Sequence, residues 1–184
     1  MPATPFLTAA FGNPATQKYT TGGISELYLI PRHHLDSTTD VLDARGNVVA
    51  VSGMSVEATT KFVQIGFVEG TASYEDVFTT GANKFMTQTL KFSVNEGGQT
   101  AGEVANQIIL TPKHAALVKR KSDGKYYLLG LTDGLAATES TQNSGAAKED
   151  AATASFTLTG SNHGHAVEVI MDNTALSALL TRIA

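Results

Sequence analysis

The sequence contains no cysteine and no tryptophan among its 184 residues. The absence of cysteine excludes disulfides, thiolate metal sites and a cysteine nucleophile, and it leaves the redox compartment open. The absence of tryptophan weakens a carbohydrate-binding interpretation, because sugar-binding platforms favour flat aromatic faces. Two large classes of binding chemistry therefore have little support from composition.

Charge is also sparse. Charged residues make up 16% of the chain, and 13 Lys and Arg against 17 Asp and Glu give a net charge of −4. This balance argues against a protein whose main task is to grip phosphate backbones. The N-terminus has no positive segment followed by an apolar one, and no apolar run approaches the ~20 residues that span a bilayer. We therefore expect a soluble protein without a membrane partner.

Threonine and glycine are abundant, with 24 and 17 residues. Threonine favours strands and glycine favours turns, so the composition predicts a β-dominated fold. Residues 1–23 hold three of the five prolines and predict an N-terminal arm, and residues 24–184 predict one domain. The arm is either a disordered tail or a segment that orders against a neighbouring subunit. Phe6, Leu7 and Phe11 make it apolar enough to dock.

Strict alternation of apolar and polar residues marks the segments 61–67, 71–78 and 84–94. In the last of these, one face carries Met86, Leu90, Phe92 and Val94, with Gln88 as the exception. Threonine, lysine and serine occupy the other face. Such alternation predicts antiparallel strands with one buried and one wet face.

Further strands are predicted at 25–31, 48–51, 155–160 and 166–171, and a hairpin at Asp123-Gly124. The polar segments 33–45 and 132–151 predict a turn region and a long loop. One helix is predicted from Thr100 to Leu110, and a short C-terminal helix carries a stripe formed by Leu176, Leu179, Leu180 and Ile183. The fold class is mainly β: an antiparallel β-sandwich or barrel with one flanking α-helix and a short C-terminal helix.

Histidines and carboxylates are the best candidates for metal-binding or catalytic residues in this sequence. His163 and His165 form an HxH pair that places both imidazoles on one face of a strand, a geometry known from zinc and nickel sites. The alternative is a pair of solvated turn histidines. Among the carboxylates, two of Glu69, Glu75 and Asp76 could form a pair for general acid–base catalysis. The alternative is that these carboxylates lie on a solvent-exposed face of a strand.

No motif for nucleophilic catalysis or phosphate binding is present in the sequence. We therefore predict no catalytic residues, no cofactor and no metal. Lys125 lies in a basic cluster at the hairpin tip, which predicts a solvated tip or a contact to an acidic neighbour. The interface candidates, some of which also fit a core position, are Phe6, Leu7, Phe11, Phe67, Tyr74, Phe78, Asp123 and Lys125.

Two blocks of the sequence resemble bacteriophage major tail tube proteins and related virion structural proteins. The first is KFMTQTLKFSV followed by a helix, and the second is HAALVKRKSDGKYYLLGLTDGLAATESTQNSGAAKEDAATASFTLTG. The resemblance covers roughly residues 57–170. The first 50 residues and the C-terminal helix lie outside this pattern.

The resemblance implies a small β-sandwich or barrel subunit that assembles in the host bacterial cytoplasm into hexameric rings, which stack into a tube of the virion. Residues 84–94 would be a strand that contributes to the tube, and the helix from Thr100 would lie on the flank of the barrel. Segments 57–80 and 132–151 would reach neighbouring subunits. The partners would be copies of the chain and other tail or head proteins, and genomic DNA would pass without specific binding because a mildly acidic lumen disfavours adhesion.

Two alternatives stay open at the level of sequence. One is another capsid-associated structural subunit, such as a decoration, head-completion or tail-terminator protein. The other is a small metal-dependent or sugar-active enzyme that uses His163, His165 and an acidic partner.

Overall fold

The computed structural model describes residues 22–79, 85–95, 98–143 and 152–183. Twelve strands and two helices follow one another along these residues. They are β1 (Ile24–Pro31), β2 (Leu35–Leu42), β3 (Val48–Val56), β4 (Phe62–Gln64), β5 (Ser73–Thr79), β6 (Phe85–Asn95), α1 (Gly98–Leu110), β7 (His114–Arg120), β8 (Tyr126–Leu129), β9 (Ala136–Asn143), β10 (Thr153–Asn162), β11 (Val167–Val169), α2 (Asn173–Ala178) and β12 (Leu180–Thr181). A single 3-10 turn, Arg32–His34, separates β1 from β2.

The strands form two sheets. The first sheet has the order β12-β4-β1-β7-β8-β11-β3-β2, and the second has the order β5-β6-β10-β9. All pairs of the second sheet are antiparallel, whereas β11 pairs with β3 and β12 with β4 in parallel. The predicted mainly β, sandwich-like class with two helices is confirmed, and the two parallel pairs make the first sheet mixed.

The central strands of the first sheet are buried on both faces. In β1, Leu27 and Leu29 contact one apolar cluster while Tyr28 and Ile30 contact another. The neighbouring strands β7 and β8 divide their side chains in the same way. Strands buried on both faces need continuous apolar runs rather than alternation, which is the pattern of LYLI in β1 and of AALV in β7.

The first sheet curls around one of these clusters. Every strand of the sheet contributes a buried side chain to this curled-sheet core, and α2 adds Leu176. The other cluster, the inter-sheet core, lies between the two sheets. Its members from the second sheet include Leu90, Phe92, Phe156 and Leu158, and α1 closes one side with Ala105 and Ile108.

A histidine holds the end of α1 where a proline removes a hydrogen bond. The carbonyl of Ile108 would accept from residue 112, but Pro112 has no N–H. The Nε2 atom of His114 lies 2.9 Å from this carbonyl and donates to it. His114 is buried, and its Nδ1 atom has no partner within the described residues.

A loop of residues 130–134, the crossing loop, carries the chain from β8 in the first sheet to β9 in the second. Gly130 and Gly134 have positive φ angles of 71° and 72°. A Cβ atom on Gly160 of β10 would lie 2.0 Å from the carbonyl oxygen of Gly134. The crossing loop therefore lies directly against β10, and only glycine at position 160 permits this approach.

Four of the sequence-based predictions need correction. Residues 35–42 form β2 instead of a turn, and residues 136–143 form β9 instead of a loop. Both strands are polar and mostly exposed, so they receive their conformation from pairing and not from an apolar pattern. The strand predicted at 61–67 is limited to Phe62–Gln64.

The C-terminal stripe is the fourth correction. The predicted helix ends at Ala178, and Leu180 pairs with Phe62 in the first sheet. Leu176 is buried from the helix and Leu180 from the strand. The apolar spacing reflects two short elements packed on one core.

We expect Gly160→Ala to lower the free energy of unfolding by about 1–3 kcal/mol or more, because the new methyl group must displace backbone. Gly102→Ala is the matched control. Nothing lies within 4 Å of its added Cβ, and Ala in a helix interior is more stable than Gly by up to ~1 kcal/mol. Urea unfolding of both variants checks the prediction, and equal stabilities would contradict it.

We also expect His114 to make the fold sensitive to mild acid. Burial lowers the pKa of His114 below its ordinary value of 6.5, although the hydrogen bond to Ile108 acts in the opposite sense. The unfolded chain then binds this proton more tightly, so the stabilisation is complete above pH 6.5 and is lost as the pH falls. Urea unfolding between about pH 7 and pH 5 should give a smaller loss for His114→Gln than for the wild type. Identical pH slopes would refute this role.

Candidate assembly interface

The second sheet has one apolar face and one polar face. The apolar face packs on the inter-sheet core through side chains of β6 and β10. The opposite face, here called the hydroxyl face, is set by the strand registers of the sheet. Its side chains are Ser73, Glu75, Val77, Phe85, Thr87, Thr89, Lys91, Ser93, Asn95, Ala136, Thr138, Glu139, Thr141, Asn143, Thr153, Ser155, Thr157, Thr159 and Ser161.

Hydroxyl groups on this face bind one another across the strands. The Oγ atoms of Ser93 and Ser155 lie 2.8 Å apart, at directly opposed positions of β6 and β10. The Thr138 hydroxyl lies 3.3 Å from that of Thr159 and donates to the carbonyl of Thr157 at 3.2 Å. Cross-strand pairs of this kind stabilise a sheet by about 0.2–1 kcal/mol each. These pairs hold the side chains of the hydroxyl face in place before any partner binds.

Within the part of the chain that the structure describes, charge on the hydroxyl face comes from three side chains. Glu75 lies on β5, Lys91 on β6 and Glu139 on β9. Two carboxylates and one ammonium group give the face a net charge of −1. A surface of this composition repels phosphate weakly and offers it few donors with a positive charge.

Both edges of the second sheet are open within the described part of the chain. β5 pairs only with β6, and β9 pairs only with β10. Strands at an open edge present unpaired N–H and C=O groups, which pair readily with a strand of another chain. The two edges differ in sequence, since β5 is SYEDVFT and β9 is AATESTQN.

Apolar side chains are exposed at the β5 edge. Phe78 is 52% exposed and Val77 is 45% exposed, on opposite faces of the strand. Phe78 lies opposite Met86 in the register, beyond the end of the inter-sheet core. The predicted interface residue Phe78 therefore lies at the surface, whereas Phe67 packs against the inter-sheet core.

A buried amide connects this sheet to both neighbouring loops. The side chain of Gln88 accepts a hydrogen bond from the N–H of Gly130 at 2.8 Å and donates to the carbonyl of Gly164 at 3.2 Å. Glutamine satisfies both partners because its amide has one acceptor and one donor end. The single polar exception in the alternation of β6 was the signal in the sequence for this role.

Asp76 and Asn162 complete the attachment of these loops. The Asp76 carboxylate accepts from the N–H of Ala166 at 2.8 Å, and its oxygen lies 3.4 Å from Nδ1 of His165. The Asn162 side chain accepts from the N–H groups of Thr132 and Asp133 at 3.1 and 3.3 Å. Asp76 thus has a structural position on the core side of β5 instead of on the wet face.

The other candidate carboxylates and histidines lie apart. Glu75 is on the hydroxyl face, and Glu69 is exposed and forms an ion pair with Lys121 at 3.0 Å. His34 pairs with Glu57. Among the described residues, no group of three or more His, Cys, Asp or Glu is arranged to hold a metal ion. His163 and His165 occupy the turn after β10, as the turn alternative predicts.

Three predicted interface residues meet at the tip of the β7–β8 hairpin. Asp123 accepts from the Tyr127 hydroxyl at 2.9 Å and from the N–H of Lys125 at 3.1 Å. Lys125 forms an ion pair with Glu168 at 2.7 Å, and the ring of Tyr74 lies 6.4 Å from that of Tyr127. The hairpin itself follows the predicted Asp-Gly turn.

Electrostatics at this tip favour the ionised Asp123 and the neutral Tyr127. Burial raises the pKa of Tyr127 to about 12, and the hydrogen bond to Asp123 acts in the same direction. Burial by itself raises the pKa of Asp123, but hydrogen bonds from Lys125 and Tyr127 bring it below its usual value. The carboxylate is therefore engaged by groups of its own chain.

The remaining interface candidates, Phe6, Leu7 and Phe11, lie outside the described residues, as do residues 144–151 of the predicted loop. In the described part of the chain, neither helix has the length and apolarity needed to cross a bilayer. Comparison of the chain with protein-family models, with curated proteins and with solved structures found no match. The functional argument therefore rests on the geometry of the second sheet.

We expect Gln88→Leu to lower the free energy of unfolding by about 1–3 kcal/mol, because it leaves the N–H of Gly130 buried without a partner. Gln88→Glu should also destabilise the protein, since an ionised carboxylate cannot donate to the carbonyl of Gly164. Thr89→Val, on the hydroxyl face of the same strand, should change the stability little. Thermal unfolding compares the three variants, and a stable Gln88→Leu variant would disprove the role of the amide.

Proposed function

We propose that the chain is a non-enzymatic structural subunit that joins copies of itself through the edges of the second sheet and forms a ring. The observation that supports this most directly is the combination of one apolar face, one hydroxyl face and two open edges in a single four-stranded sheet. Such a sheet extends across subunits when β5 of one copy lies beside β9 of the next.

The edges favour a ring over a dimer. A contact between two different strands is heterologous, because each subunit contributes a different edge to each of its two neighbours. Repetition of a heterologous contact gives a closed ring or an open helix, depending on the rotation between subunits. Closure also removes the exposed edges that otherwise cause aggregation.

The hydroxyl face suits the inside of such a ring. The curled first sheet lies on the other side of the inter-sheet core, so only the hydroxyl face of the second sheet is available to line a lumen. Two pairs of its hydroxyl groups bind each other across the strands, and its described residues carry a net charge of −1. A channel of this kind lets a polyanion pass without adhering, since like charges repel.

We infer from the sequence resemblance that the assembly is a bacteriophage tail tube, built from stacked hexameric rings within the virion. The polyanion that passes through this tube would be genomic DNA. Asp76, a candidate for acid–base work, instead accepts from the N–H of Ala166 in its own chain, which supports a structural role for this carboxylate.

The residue that tests this assembly is Phe78. Phe78→Lys adds a charge to an exposed position of the β5 edge, where lysine blocks pairing with another strand. We expect the wild type to form rings or tubes by negative-stain electron microscopy and the variant to remain monomeric. The melting temperature of the variant should be unchanged, because the side chain lies outside the core.

Leu110→Lys is the matched control. Leu110 is 79% exposed, at the C-terminal end of α1, and belongs to neither edge strand of the second sheet. This variant should assemble like the wild type. A wild type that stays monomeric at high concentration, or a Phe78→Lys variant that forms normal tubes, would overturn the proposal. Rings that never stack would favour a head-completion or tail-terminator subunit instead.

A further inference from the structure

An apolar groove opens onto the inter-sheet core beside α1. It has a volume of about 320 Å³. Its floor consists of buried core residues, among them Ile65, Ile108 and Phe156. Exposed Val104 of α1 and Ile183 stand at its walls. The core therefore reaches the surface at this point, on the side of the sandwich that α1 only partly closes.

The C-terminal end of the described chain shapes one wall. The N–H of Ile183 donates to the side-chain oxygen of Gln64 at 3.0 Å, directly after β12 pairs with β4. Gly66 lets the side chain lie close, since an added Cβ would meet the Ile183 side chain at 3.1 Å. Two separate contacts thus hold an apolar side chain at the rim.

Among the described residues, no side chain that lines the groove is ionisable. Its polar rim residues, Gln64 and Asn95, are uncharged. A partner recognised by its charge, such as a nucleic acid or an acidic peptide, has nothing to pair with here. The groove fits an uncharged segment with large apolar side chains.

Residues 1–21 of the chain have this chemistry. Positions 2–17 contain no charged residue, and they include Phe6, Leu7 and Phe11. Pro2, Pro5 and Pro14 favour an extended backbone that needs no hydrogen bonds from a partner strand. The composition of the arm and the lining of the groove therefore match.

The arm is also long enough to reach the groove of its own chain. The carbonyl of Leu27 in β1 accepts from the N–H of Ile65 on the groove floor at 2.8 Å. Leu27 lies only ~10 Å along the strand from Ile24, at about 3.3 Å per residue. The eleven residue-to-residue steps from Phe11 to Gly22 span up to ~34 Å in an extended conformation of about 3.1 Å per residue.

We propose that the arm folds back and that its segment from Phe6 to Phe11 binds in this groove of the same chain, covering the exposed part of the inter-sheet core. A tether of this length gives an effective concentration on the order of millimolar, which favours the arm of the same chain over that of another. The contact does not depend on ring formation, so it stands or falls separately from the proposed function.

The natural absence of cysteine makes a cross-linking test direct. Ala9→Cys is combined with Asn95→Cys at the groove rim in the full-length chain. The control pair combines Ala9→Cys with Val49→Cys, at an exposed position of β3 that β1, β7, β8 and β11 separate from β4 in the sheet. A short bismaleimide reagent links the cysteines, and gel mobility distinguishes links within one chain from links between two.

We expect a monomer-sized product whose yield is several-fold higher for the pair at 9 and 95 than for the control pair. Adding Phe6→Ser and Phe11→Ser should reduce the yield to that of the control, while circular dichroism shows an unchanged fold. Equal yields for the two pairs, or no effect of the serine substitutions, would refute the proposal. A product found only as a dimer would assign the groove to the arm of a second copy and would equally overturn binding within the chain.

Discussion

The buried amide of Gln88 joins the two sheets at the place where the chain passes between them. Its oxygen binds the crossing loop at Gly130, and its nitrogen binds the turn at Gly164 that leads from β10 back to the first sheet. Gly160 lies opposite Gln88 in the register and leaves space for the crossing loop. The relative position of the sheets, and hence the exposure of the hydroxyl face, depends on this attachment.

Because the central strands of the first sheet are buried on both faces, the second sheet can have one apolar and one polar face. β1, β7 and β8 supply apolar side chains to two cores at once, so the second sheet needs only one apolar face. Its other face can then consist of threonine and serine without loss of core area. The abundance of threonine and the low charge of the chain have their structural counterpart in this face.

The surfaces used in the two proposals lie at separate places in the described part of the fold. The open edges of the second sheet belong to β5 and β9, which the intervening β6 and β10 hold apart. The groove beside α1 depends on His114 at the helix end and on the C-terminal strand at the opposite wall. In the proposed assembly, this separation would let the sheet edges and the groove bind different segments.

The sequence by itself determined the elements whose signals are local. The alternation of β6, the Asp-Gly turn of the β7–β8 hairpin and the proline that ends α1 all lie within the segments they define. Only the tertiary structure decided β2 and β9, which are polar edge strands whose backbone groups pair with neighbours. It also decided the parallel pairing of β12, the partners of Gln88 and the groove, since these depend on contacts between residues far apart in the chain.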